Sequence, residues 1–309
     1  MVYVPGALGG EAGGGGRAVS VRALTMRAAF YVAGRRPGPF YAMVPLVARV
    51  VWGLNPALRR RVIRNLLPLC EGDRGRARRE GRRALQHVLA YYLDLVTLPH
   101  RDMSRFEAEH LESFHGERLE LLRTNGPVLL VSAHTGNAEL AIQALTYRGR
   151  AFVALVERLE PRDWAEYLLR LRSSVGGTFL EANFAGVRAC IEALRSGGVV
   201  GMMGDRDIQH TGVCTELFGR AVRLPRGPWE LARRTEALVI PIFSSRKRGD
   251  QFRIDVGEPF RVGASEDANA DIRQAVERFA RLLEQHLRRD PGQWAVLEDF
   301  WRVHACGEG

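Results

Sequence analysis

The sequence predicts an α/β fold: a mostly parallel central sheet flanked by helices, with an N-terminal basic helical subdomain. Three observations carry this. After Gly126, short apolar runs rich in strand formers alternate with amphipathic helical stretches, the pattern of strands joined by crossover helices. Before residue 115 there is only helical periodicity. Hydrophobic residues make up 46 % of the 309, enough for the full core of a chain this long.

The elements follow in order. Met1–Ser20 is Gly-rich without an apolar core, so a flexible tail is expected there rather than a signal peptide. Its glycine run, Gly9–Gly16, follows no strand and is no phosphate loop. Pro37–Leu58 is apolar but interrupted by Pro45 and Arg49, and falls short of a spanning helix. With Arg35, Arg36 and Arg59–Arg61 at its ends, it reads as a segment lying in a membrane interface; a buried core helix is the other reading. Pro56 and Pro68 punctuate the next helices, and Leu85, Val88, Leu89, Tyr92, Leu95 and Val96 form one apolar helical face. Strands are expected at Pro127–Ala133, Ala151–Val156, Val199–Met203 and Ala237–Phe243, with helices at Ala138–Tyr147, Trp164–Val175 and Val187–Arg195. Phe252–Val256 alternates with charged residues and should pair as a hairpin through Lys247–Asp250. Ile272, Val276, Phe279, Leu283 and Leu287 mark a closing helix. The expected division is a tail (1–20), a basic helical membrane-docking subdomain (21–114) and an α/β domain (115–309).

Charge is uneven. The chain carries +10 overall, but residues 1–100 hold 16 Arg against five acids, leaving the remainder near neutral; Lys247 is the only lysine. The basic third shows no zinc, RRM or helix-turn-helix signature, so a nucleic-acid partner is not expected. Arginines beside an apolar segment suit anionic lipid. Cys70, Cys190, Cys214 and Cys306 form no C-x-x-C pair, so neither a zinc site nor a disulfide is expected and a reducing compartment is read.

The chemistry concentrates at strand ends, which face the ligand crevice in open α/β sheets. His134-Thr-Gly-Asn-Ala-Glu139 follows the first predicted strand. His134 there can act as a general base, with Glu139 bending back to hold it as the acid of a triad does. Alternatively, Glu139 complements the helix dipole, Asn137 caps the helix and His134 bonds locally. Asp205-Arg206-Asp207 follows Val199–Met203, either as a polar substrate site or as a solvated turn; two carboxylates alone make a poor magnesium site, and no metal is expected. Phe218-Gly219-Arg220 precedes Pro225-Arg226-Gly227-Pro228, where a Gly-Pro helix entry either presents N–H groups to an anion or simply starts a helix behind a turn. Arg172, by spacing, reads as a surface arginine of an amphipathic helix. No G-x-S-x-G elbow, Walker loop or G-x-G-x-x-G after a strand occurs.

The ordered set of blocks resembles the bacterial lipid A biosynthesis acyltransferases, the late lauroyl and myristoyl transferases, and the related phosphatidylinositol mannoside acyltransferases. The match runs from Met43 to Trp301: Asn65-Leu66, Tyr91-Tyr92-Leu93, His134 with Glu139, Arg172 ahead of Gly176, Ala193 to Gly197, Asp205 to Asp207, Phe218 to Arg220, Pro225 to Gly227, Val239-Ile240-Pro241 and Gln293-Trp294. Ala138 and Leu217 depart from it, where the family often has aromatics. The resemblance implies a glycerol-phosphate-acyltransferase-like fold and transfer of a fatty acyl chain from an acyl carrier protein or coenzyme A thioester to a glycolipid hydroxyl. It implies no other cofactor, and work at the cytoplasmic face of the plasma membrane as a peripheral or monotopic protein. His134 would be the base and Glu139 its support. Asn137, Arg172, Asp205, Arg206, Asp207, Phe218, Gly219, Arg220, Arg226 and Gly227 would bind substrate. The alternative is a thioesterase or lipid hydrolase at the same His134, with Ser132, on the same strand face, or water attacking.

Overall fold

The computed structural model describes residues 31–123, 125–146, 150–157 and 160–307; the expected Gly-rich tail lies outside them. Three helices lead: α1 (Pro37–Leu54), α2 (Pro56–Leu66) and α3 (Arg74–Thr97). Asn55 accepts from the Leu58 N–H and Asp73 from those of Gly75 and Arg76, so each of the last two helices starts where a polar side chain satisfies an orphan donor. After α4 (Met103–His110) come β1 (Leu111–Phe114), β2 (Val128–Ser132), α5 (Ala138–Thr146), β3 (Phe152–Val156), α6 (Arg162–Arg172), β4 (Thr178–Glu181), α7 (Phe184–Arg195) and β5 (Val199–Met203). The remainder is β6 (Val213–Leu217), β7 (Arg220–Leu224), α8 (Gly227–Thr235), β8 (Leu238–Arg246), β9 (Phe252–Val256), α9 (Ala268–Arg289) and the short α10 (Phe300–Val303).

Seven strands form one sheet in the order β1-β9-β8-β2-β5-β3-β4, mostly parallel, with β8 and β9 antiparallel. The β8–β9 hairpin turns through Lys247–Asp250, as the alternation predicts. Four strands escape the sequence reading. β1 and β4 are edge strands of four residues, partly exposed, too short and mixed for a period to show. β6 and β7 form a separate hairpin. β1 is hydrogen-bonded along β9, so the sheet takes in residues expected in the helical subdomain. That segment also has no core of its own: Trp52, Leu58, Val62, Leu66, Leu85 and Val88 share one buried cluster with Leu129, Val131, Phe243 and Trp294.

In α1, Val44, Ala48 and Trp52 face inward, while Met43, Leu46, Val47, Val50 and Leu54 are exposed. The buried-core reading of Pro37–Leu58 thus holds for the inward face of α1, and the opposite face is apolar and exposed. Among the described residues no single helix is long and apolar enough to cross a membrane; α1 and α2 together are, but they meet at 103°.

The cysteine reading needs correction. Cys214 on β6 is bonded to Cys306, with Cα atoms 5.9 Å apart. The C-terminal segment returns along β7, where the Arg223 N–H donates to the His304 carbonyl at 2.7 Å and Val222 bridges Ala305. This contact joins residues 92 apart in sequence, which no local spacing records. Cys70 and Cys190 are buried and free.

Candidate active site

The register of two neighbouring strands builds the centre. β2 and β5 run parallel with Ser132 beside Met203, so His134 and Asp205, each two residues beyond its strand, emerge side by side. The His134 ring Nδ1 lies 2.7 Å from Asp205 Oδ1. Asp205 Oδ2 accepts from the His134 backbone N–H at 3.1 Å and from Trp294 Nε1 at 3.0 Å. A carboxylate in this place fixes Nδ1 as the protonated nitrogen and leaves Nε2 with the lone pair.

The turn carrying His134 is pinned from two sides. Gly136 has φ +54, and a Cβ there would stand 2.6 Å from the Ser244 carbonyl oxygen, so both the left-handed backbone and the close approach of β8 require glycine. The 293–295 segment docks along the turn like a strand: the Gly136 N–H donates to the Gln293 carbonyl at 3.3 Å and the Ala295 N–H to the His134 carbonyl at 2.7 Å. Asn137 then caps α5, accepting from the Leu140 N–H at 3.0 Å, and its amide donates to the buried Asp94 at 2.7 Å.

Burial pulls the His134 pKa below its ordinary value, although the Asp205 charge and hydrogen bond oppose this. For Asp205, burial opposes ionisation, but the His134 charge and the hydrogen bonds from His134 and Trp294 outweigh it, holding the carboxyl well below the usual range. The pair therefore rests as a carboxylate beside a neutral imidazole near neutral pH, the state a base needs.

Glu139 does not hold the imidazole. Its carboxylate accepts from Arg172 Nε at 2.8 and 3.0 Å and from the Tyr91 hydroxyl at 2.8 Å, and Arg172 Nη2 donates to Tyr91 at 2.7 Å. Glu139 lies in the first turn of α5, pointing toward α3 and α6, whereas His134 faces β5. Nor is Arg172 on the surface: it is 2 % exposed, and burial of its charge is offset by Glu139 and Tyr91, which raise its pKa.

Asp205, Arg206 and Asp207 are all buried, which excludes the solvated turn. Arg206 makes a two-pronged pair with Glu298, both contacts at 2.7 Å, and reaches Glu157 at 3.3 Å. Asp207 accepts from the Gly212 N–H at 2.8 Å. Phe218 and Gly219, with φ +52 and +70, are the two-residue turn between β6 and β7. The Phe218 N–H donates to Glu284 at 2.8 Å, and Arg220 lies over the Trp301 ring. None of Phe218, Gly219 and Arg220 lines the cavity; the motif marks the turn between β6 and β7. Among the described residues no group of His, Cys, Asp and Glu could hold a metal.

A cavity of about 460 Å³ opens at this end of the sheet. Its polar lining includes His134, Glu139, Arg172, Arg206, Asp207 and Arg226, with Gly227 at the N-terminal end of α8. Its apolar lining comes from both sheet faces. Ile142 of α5 stands with Phe152, Ala154 and Gly201 on one face, and Val187 of α7 with Leu155 and Met202 on the other. Thr135 also lines it, buried, with a hydroxyl that has no partner among the described residues. Ser132, in contrast, is fully buried and donates to the Ile242 carbonyl at 2.5 Å.

Trp294 and Tyr91 stand in the blocks of the resemblance without an assigned role, and Asp94 and Glu298 escape sequence reading. Asp94 carried a signal: it is the one acid within the apolar run Tyr91–Val96, and such an acid needs buried partners. It has them in Tyr41, Asn137 and Arg246.

Fold and site together define a sheet-end centre in which a His–Asp pair stands at the mouth of a largely apolar cavity. The chain belongs to the bacterial lipid A biosynthesis acyltransferase family, whose model matches residues 38–303. It is 30 % identical over 214 residues to a phosphatidylinositol mannoside acyltransferase of Mycobacterium tuberculosis, covering 67 % of this chain and 64 % of the relative, so it spans just under two thirds of that protein. The protein of the same name from Mycolicibacterium smegmatis is 27 % identical over 225 residues, 71 % of each chain. A solved 1-acyl-sn-glycerophosphate acyltransferase from Thermotoga maritima superposes with a TM-score of 0.37 at 14 % identity, over 81 % of this chain and 98 % of that one.

Proposed function

We propose that the protein transfers a fatty acyl chain from a thioester, on acyl carrier protein or coenzyme A, to a hydroxyl of a glycolipid of the lipid A precursor or phosphatidylinositol mannoside type. The observation that carries this is the His134–Asp205 pair at the polar mouth of an apolar cavity, in a chain of this family. His134 Nε2 takes the acceptor's hydroxyl proton as the oxygen attacks the thioester carbonyl. The tetrahedral oxyanion needs fixed donors; the Thr135 hydroxyl, Arg226 and the positive end of α8 stand at the cavity. Collapse breaks the C–S bond, and the proton passes from Nε2 to the leaving sulfur. The products are an ester and a free thiol, with Asp205 ionised throughout. Arg172, Glu139 and Tyr91 form the buried wall beside the base and hold α5, α6 and α3 in register.

Hydrolysis by Ser132 is disfavoured because that hydroxyl is spent on β8 and lies outside the cavity. The test is a product balance. Purified protein, acyl thioester and glycolipid acceptor should yield thiol and ester in equal amounts, with little thiol when the acceptor is omitted. Acceptor-independent release of free fatty acid would select the hydrolase instead.

We infer the place of work from α1. Its exposed stripe of Met43, Leu46, Val47, Val50 and Leu54, beside Arg35, Arg36 and Arg59–Arg61, supports docking on an anionic bilayer, at the cytoplasmic face where thioester donors are found.

A further inference from the structure

The cavity's apolar lobe under α5 has a definable floor. Residues Phe152, Ala154 and Val156 alternate along β3, Gly201 lies beside Ala154 on β5, and Met203 follows two positions on. All five line the cavity. The strand ends at Val156 lie toward the polar mouth, so the lobe descends the sheet face against the strand direction. Phe152 is the deepest of its β3 residues, four positions below Val156, or about 13 Å at the usual strand rise.

The floor depends on a missing side chain. A Cβ at Gly201 would stand 2.8 Å and 2.9 Å from Cε2 and Cζ of the Phe152 ring, and 3.9 Å from Ile142. The ring therefore lies against the bare backbone of β5. Behind it the Phe179 ring packs edge-on at 5.9 Å between centroids. Phe152 itself is 5 % exposed, so it closes the lobe rather than projecting into solvent.

We propose that Phe152, seated against Gly201, sets the length of acyl chain the site accepts. This rests on the acyltransferase reading above. A chain that fits places its carbonyl at His134 and its last carbons against the Phe152 ring. A longer one lifts its thioester out of line with Nε2, and a shorter one leaves apolar surface uncovered. A one-methylene misfit in such a pocket costs about 10-fold or more in discrimination.

Two variants should move the preference in opposite directions without touching His134 or Asp205. Phe152→Ala removes the floor and deepens the lobe. Gly201→Ala places a methyl where the ring lies, and the ring end, being the far end of a side chain, swings toward the mouth. In the double variant the new methyl meets no ring, so its profile should follow Phe152→Ala. Phe152→Leu supplies a milder deepening should the alanine variant fold poorly, judged by its melting transition.

The experiment measures binding of saturated fatty acids from octanoate to stearate by displacement of a fluorescent fatty acid. In parallel it measures acyl transfer from the matching thioesters, on both carriers, to a glycolipid extract. The expected result is an optimum moved to longer chains by Phe152→Ala and to shorter ones by Gly201→Ala, with the ratio between neighbouring even chains changing about 10-fold. Active, folded variants that keep the wild-type optimum, or shift it the same way, would overturn the proposal while leaving acyl transfer standing. Wild-type protein that transfers no acyl chain would instead overturn the acyltransferase reading. Fatty acids that fail to bind a protein active in transfer would remove the lobe as the acyl site, and the proposal with it.

Discussion

Replacing Asp205 with Asn isolates the element that the geometry sets apart from the sequence reading. Asp205 accepts on both oxygens: Oδ1 faces the His134 ring at 2.7 Å, and Oδ2 faces two donors, the His134 N–H at 3.1 Å and Trp294 Nε1 at 3.0 Å. An asparagine must keep its single oxygen toward the two fixed donors, since turning an NH₂ on them would leave buried donors unpaired at about 1–3 kcal/mol each. Its NH₂ then meets His134 Nδ1, which must accept. The ring proton moves to Nε2, the nitrogen that should take the acceptor's proton. Loss of a positioned base costs about 10²–10⁴-fold, and a wrong tautomer in a Ser-His-Asp triad costs ~10⁴, or roughly 3–5.5 kcal/mol of barrier. Thiol release from acyl thioester in the presence of glycolipid is the assay, with KM followed beside kcat. Most of the loss should fall on kcat. A folded Asp205→Asn protein with kcat within about 3-fold of wild type would refute the tautomer argument.

Other expectations follow from the same contacts. Thr135→Val keeps the shape of a buried residue but removes the hydroxyl that has no partner among the described residues, and should lower kcat by about 10²-fold with little change in the melting temperature. Burial pushes His87 from 6.5 down to about 4. The unfolded chain therefore binds that proton first, and the stabilisation, about 3 kcal/mol, is complete above pH 6.5 and lost as pH falls toward 4. For Glu298, burial is outweighed by hydrogen bonds and charge from His304 and Arg206, which hold it at about 2 against an ordinary 4.5; its contribution is lost over that lower window. Urea midpoints should accordingly fall with acidification, His87→Phe should flatten the upper part of the decline, and an unchanged profile would count against the assignment. Charging the α1 stripe with Leu46→Asp and Val50→Asp should abolish sedimentation with anionic vesicles while thiol release from soluble short-chain substrates persists; sedimentation unaltered by both changes would reject α1 as the docking face.

The sequence made the sheet legible where strands were buried on both faces. Val128–Ser132 and Val199–Met203 are continuous apolar runs because α-helices cover both sides, and the hairpin at Phe252–Val256 showed its alternation. β1 and β4 stayed hidden because four-residue edges half in solvent carry no period. Of the site, His134 was readable from its place after a strand. Its partner was not, because Asp205 becomes a neighbour only through the register of β2 on β5, 71 residues apart. Proximity in sequence pointed to Glu139, but its position on α5 turns it toward Arg172. Trp294 reaches the site because the C-terminal segment lies along the His134 turn, a tertiary contact with no local signature.

The most direct measurement is the steady-state rate of ester formation by His134→Ala, with an acyl thioester and glycolipid acceptor, in protein shown by circular dichroism to keep its fold. The account predicts a loss of kcat of about 10²–10⁴-fold with thioester binding largely retained. Undiminished ester formation by the alanine variant would contradict it.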